Sequence, residues 1–215
     1  MAIKVDWSNY SDRERKAKFT NSLIPESPYK SAGVSVIEVK KLAKTFDSDD
    51  IEINYIEDVL LKGFILAFKK ESFSEKIVKL EAFYPLLVSW VATDSVGAAL
   101  YIPKKDKKEA YDYFINLTAS PIPMTARFAF VVLMDHFLTA DTVDEIMTKA
   151  VSVNSDNYLL KMGIAWLTSC CYIHYPEQTC KYFSMLDKEL SKMAKQKCRD
   201  SKRVSLENKE RLKLL

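Results

Sequence analysis

Four long apolar segments constrain this chain most: VLLKGFILAF at 59–68, FYPLLVSWVATDSVGAAL at 83–100, TARFAFVVLMDHFL at 125–138 and YLLKMGIAWLTSCCYI at 158–173. Each is longer than a typical strand, and none holds the roughly 18 uninterrupted apolar residues of a membrane span. Between them lie amphipathic, more charged stretches at helical spacing, such as KKDKKEAYDYFINL at 104–117 and ADTVDEIMTKAV at 140–151. The order that follows is one buried helix, then one exposed helix. Only four Gly and seven Pro in 215 residues agree with a helical rather than a sheet protein.

The breaks fall at helix punctuation: Pro103, Pro121 and Pro123, the Ser155-Asp156 pair, and Pro176. Asp141 and Ser155 are the predicted N-caps of the helices that follow them. From the second apolar segment onward the rhythm is roughly 35 to 40 residues, the period of two-helix solenoid repeats. The fold expected is all-α, a right-handed solenoid of HEAT-like antiparallel helix pairs forming one domain over residues 1–215. Such a solenoid has a concave face lined by its inner helices.

The N-terminal MAIKVDWSNYSDRERKAKF is too polar for a signal peptide, which predicts a cytoplasmic protein with no membrane partner. The four cysteines include an adjacent pair, Cys170 and Cys171, and no CxxC. With only His136 and His174 besides, neither a disulfide framework, a metal site nor any cofactor is expected. Net charge is +3, but the cations cluster at Lys40, Lys41 and Lys44, at Lys104 to Lys108, and at Lys192 to Arg203. Clusters of this kind are either solvated helix faces or phosphate contacts.

Within the apolar segments a few residues stand out. Trp90 and Asp94 are four apart and share one face of any helix. Arg127 and Trp166 occupy later apolar helices, each roughly one repeat further on. A Trp in such a helix has core packing as its competing explanation, and an Asp has a cap or an ion pair with a residue such as Arg127. If all four side chains project inward, they converge on one groove.

Five stretches occur in an order that resembles the AlkD-like DNA alkylation repair family: GVSVIEVKKLAK at 33–44, SWVATDSV at 89–96, ARFAFVVLM at 126–134, SDNYLLKMGIAWL at 155–167 and KQKCRDSKRVS at 195–205. The Phe19 to Pro25 stretch is similar to the F…LIP element that opens that family's short branch. The resemblance implies a DNA glycosylase acting in a basic concave groove, as a monomer, on duplex DNA and above all on alkylated DNA. Its reaction would hydrolyse the N-glycosidic bond of cationic N3- or N7-alkylated purines without base flipping and without a metal. By the same resemblance, Asp94 is the catalytic carboxylate, with Trp90 and Trp166 flanking the lesion's sugar. Arg127, Lys40, Lys41, Lys195, Arg199 and Arg203 are the implied DNA contacts. The alternative within the same fold is a non-catalytic binder of distorted or branched DNA.

Overall fold

Residues 2–10 and 13–214 are described by the structure, a computed structural model. The chain forms two compact units, Met1–Ala110 and Tyr111–Leu215. Among the described residues it is all-α, with no β-sheet and two isolated parallel bridges, Ile3 with Ile51 and Lys30 with Tyr55.

The first unit contains α1 (Arg13–Leu23), α2 (Val36–Leu42), α3 (Ile56–Phe68), α4 (Phe73–Phe83) and α5 (Trp90–Ala99). Helix α3 carries the first apolar segment and is buried on nearly all sides, from Ile56 to Ala67 except Lys62, as expected of a helix that is hydrophobic all round. Its two ends are held by charge. At the N-terminal turn the buried Glu57 accepts from the Ser31 hydroxyl at 2.6 Å and from the amides of Ala32, Gly33 and Val34 at 2.7, 3.1 and 3.2 Å. Its neighbour Asp58 accepts from the Trp7 indole at 2.8 Å and from the amides of Asn54 and Tyr55 at 2.9 and 2.7 Å. Carboxylates suit the positive end of a helix, and here they also fix residues 7 and 31–34 against it.

At the opposite end of α3 the wholly buried Lys76 of α4 donates to the carbonyls of Leu66 and Lys69, both at 2.8 Å. The Leu66 carbonyl also accepts from the Lys69 amide at 3.3 Å, so the ammonium adds a second donor to the closing turn of the helix. Burial presses the Lys76 ammonium down from 10.5 to about 8, the nearby Glu71 opposing the shift. The surface helices α2 and α4 both begin with a capping box, Ser35 with Glu38 and Ser72 with Glu75.

The second apolar segment departs from expectation. It is not one helix: α4 ends at Phe83, a single 3-10 turn covers Tyr84–Leu86 around Pro85, and Ser89 is extended before α5 begins at Trp90. A proline cannot supply the amide that would continue a helix through this point.

The second unit contains α6 (Lys107–Leu117, shared with the end of the first), α7 (Pro123–His136), α8 (Val143–Ser152), α9 (Tyr158–His174), α10 (Pro176–Cys180), α11 (Tyr182–Met185), α12 (Lys188–Asp200) and α13 (Leu206–Arg211). Helices α7 and α9 are the third and fourth apolar segments, opened by Pro123 and closed before Pro176 as predicted. Helix α9 packs against α7, α10 and α12. The N-caps are corrected: Thr142 stands before α8 and Asn157 before α9, not Asp141 and Ser155. Asn157 accepts from the Leu160 amide at 3.0 Å, while Ser155 accepts from the Asn157 amide at 3.2 Å and so shapes the approach to the helix.

Candidate functional site

The outward stripe of α5 carries Trp90 and Asp94. The helix turns Ala92, Thr93, Val96 and Gly97 inward and leaves Trp90, Asp94 and Ala98 on the other side, the first two half-buried and the third exposed. That division follows the i, i+4 spacing of a helix surface, which places Cβ atoms about 5–6 Å apart. Packing against α3 holds the stripe in place, since Gly63 lies so close that an added Cβ would stand 2.5 Å from the Val96 side chain and 2.7 Å from Phe83. Thr93 donates to the Ser89 carbonyl at 2.9 Å and tightens the first turn.

The ring of Trp90 is also oriented. Its indole N–H donates to the carbonyl of Leu23 at 3.3 Å, at the C-terminal end of α1, where backbone carbonyls lack helical donors. A half-buried indole fixed in this way places an electron-rich ring one turn from a carboxylate. A pair of that kind can stabilise a cation, whether a bound one or one that develops during a reaction.

Arg127 and Trp166 lie in the second unit. Arg127, on α7, is buried at 5 % exposure and donates to the carbonyl of Leu159 near the start of α9. Its guanidinium crosses α9 at Gly163, where an added Cβ would stand 3.0 Å from Cγ and 3.3 Å from a terminal nitrogen. In this position the side chain joins α7 to α9. Trp166 is half-buried and shares the less covered stripe of α9 with Met162 and Cys170.

Among the basic residues implied as DNA contacts, Lys40 and Lys41 are exposed in the last turn of α2. The Lys40 ammonium lies 5.8 Å from the Phe64 ring centroid and 5.9 Å from that of Phe68, a cation–π arrangement that covers α3. Lys195 and Arg199 are on α12, where they share one face with Lys188 and Lys192 and line a cavity of about 520 Å3 with Ser191 and Phe183. Arg199 donates to the Gln196 side chain at 2.9 Å, and Arg203 lies 2.9 Å from the His174 ring. Sequence reading named Lys195 and Arg199 but not Lys188, although the 188, 192, 195, 199 spacing is helical and was available as a signal.

The same reading passed over the Glu57 and Asp58 cage, whose partners are remote in sequence. Cys171 and Cys198 are buried packing residues and Cys170 and Cys180 are half-buried; burial pushes the Cys170 and Cys171 thiols up and Cys198 up to about 12. Among the described residues no cluster of His, Cys, Asp and Glu is arranged to hold a metal, and no helix is long and apolar enough to cross a membrane. Comparison of the chain with protein-family models, with curated proteins and with solved structures finds no match.

Proposed function

We propose that this chain is a DNA glycosylase that hydrolyses the N-glycosidic bond of cationic N3- or N7-alkylated purines in duplex DNA. The observation that carries the reading is the outward stripe of α5, with the Asp94 carboxylate and the oriented Trp90 indole one turn apart and both half-buried. The family resemblance adds the substrate class and a HEAT-like groove for the duplex.

In the proposed reaction the C1′–N bond breaks and its electron pair passes to the base, neutralising the positive ring. The sugar is left as an oxocarbenium-like cation. Asp94, one turn from the indole, faces that developing charge and orients the water that adds to C1′, while Trp90 offers its face to the same cation. The water's proton leaves to Asp94 or to solvent, and the products are a free alkylated base and an abasic sugar. The resemblance implies a second stacking role for Trp166, which stands on α9 of the second unit.

The test is release of 7-methylguanine and 3-methyladenine from methylated duplex DNA by the wild type, by Asp94→Asn and by Trp166→Ala. Release that falls at least a hundredfold in Asp94→Asn while DNA binding persists supports the reading, on the scale of a lost charge-stabilising group. Absence of release by the wild type overturns it.

A second reading is favoured by the four cations on one face of α12, which can engage phosphates without any bond cleavage. On that reading the protein binds distorted or branched DNA tightly and leaves its bases in place.

A further inference from the structure

Helix α1 is inverted relative to an ordinary surface helix. None of its residues is buried, and its two largest apolar side chains point outward, Phe19 at 65 % and Leu23 at 42 % exposure. The helix cannot roll to hide them. Its inner face is fixed by Asn21, whose side-chain oxygen accepts from the Ser31 amide at 2.8 Å, and by the Arg13 carbonyl, which lies against Gly33 so closely that an added Cβ would stand 2.0 Å away. Phe19 and Leu23 are one turn apart on the outward side, the exposed Arg15 lies one turn before Phe19, and Lys18 is exposed on the adjoining stripe with Glu14. The carbonyl of Leu23 is the one that holds the Trp90 indole, so the C-terminal end of α1 stands beside Trp90.

We infer that α1 is a nucleic-acid contact in which Phe19 stacks on a base of the strand that runs past Trp90, with Lys18 at a neighbouring phosphate. The inference rests on the proposed DNA-binding reading and deepens it by naming a stacking residue that the resemblance leaves without a role. The side chains select the partner. An unstacked base offers a planar apolar face to Phe19, and the phosphates on either side offer negative charge to the cations. A lipid surface is a poorer fit, because two apolar side chains on a helix about 16 Å long give little area to insert. A protein groove is poorer too, because such grooves read several anchors along a helix and α1 has a single i, i+4 pair.

The experiment measures binding of a short fluorescein-labelled duplex bearing one abasic analogue, across a salt series, for the wild type, Phe19→Ala, Phe19→Trp and Lys18→Ala. Phe19→Ala is expected to raise Kd about tenfold, the order of one lost base stack, with the salt slope unchanged because no charge is removed. Phe19→Trp is expected to restore binding to within about twofold, and Lys18→Ala to reduce the slope by about one. Wild-type affinity in Phe19→Ala overturns the inference. So does a wild type that ignores the duplex and binds phosphatidylserine vesicles instead.

Base release measured on the same preparations separates the two proposals. Release with no Phe19 effect on binding removes the stacking role and leaves the glycosylase. A tenfold Phe19 effect without release does the reverse. Phe19 is mostly exposed, so thermal unfolding of Phe19→Ala should match the wild type; if that variant fails to fold, Phe19→Leu replaces it in the same comparison.

Discussion

The indole N–H of Trp7 reaches across 51 positions of sequence to the Asp58 carboxylate, 2.8 Å away, and the adjacent Glu57 collects a hydroxyl and three amides from residues 31–34. Two carboxylates side by side at the first turn of α3 thereby organise most of what precedes it.

Glu57→Gln should therefore be costly although it is nearly isosteric. The amide keeps one accepting oxygen and turns an N–H2 group toward amides that need acceptors, so at least one buried donor is left unpaired. A loss of about 3 kcal/mol is expected in urea unfolding. Stability within about 0.5 kcal/mol of wild type would show that the cage is not what holds residues 31–34.

Lys76 has a pH signature of definite sign. Its folded-state value of about 8 lies below the ordinary 10.5, so between these values the unfolded chain binds more protons than the folded one. The stability it contributes is fully present above 10.5 and is lost as pH falls toward 8. Relative to Lys76→Met, the wild type should gain stability from pH 8 to 10.5 with a slope of up to about 1.4 kcal/mol per pH unit. Urea midpoints of both proteins across that range provide the check, and a flat difference would mean that Lys76 keeps its ordinary affinity for protons.

Arg127 and Gly163 form a pair for a double-mutant cycle. Gly163→Ala adds helix propensity to α9 but presses on Cγ and the guanidinium of Arg127, with a contact of 3.0 Å that requires the neighbour to move. Alone it is expected to cost about 1 kcal/mol. In an Arg127→Ala background the same change should stabilise by up to about 1 kcal/mol. Additive effects would show that the Arg127 side chain does not pack on Gly163.

If α12 meets DNA along its cationic face, Lys188→Ala, Lys192→Ala, Lys195→Ala and Arg199→Ala should each reduce the salt slope of duplex binding by about one. Arg127→Ala should lower stability and leave that slope alone, because its guanidinium is occupied inside the second unit. Titrations of duplex at several salt concentrations separate the two behaviours.

Much of the fold was legible in the sequence because burial is periodic. Helices α3, α7 and α9 coincide with apolar runs, and Pro123 and Pro176 mark helix starts where a missing amide costs nothing. The second run misled because it is apolar throughout, and apolarity cannot distinguish a helix from the 3-10 turn and extended residues around Pro85 and Ser89. That Trp90 and Asp94 share one stripe of α5 was readable from their spacing. The burial of Arg127 was not, since a guanidinium bonded to a backbone carbonyl leaves no trace in local sequence. The Glu57 and Asp58 cage was equally hidden: its partners are mostly backbone amides, which every residue has.

The contact between Trp7 and Asp58 also sets an order of events during synthesis. Residues 2–10 leave the ribosome with a Trp whose acceptor is about fifty residues behind it, a delay of roughly 3 to 10 s at ordinary elongation rates. Until then a large aromatic ring is uncovered on a nascent chain, in a stretch rich in polar groups that keep it in solution. The Trp7 to Asp58 contact can form only after the start of α3 has emerged, so residues around Trp7 become ordered with a helix made about fifty residues later.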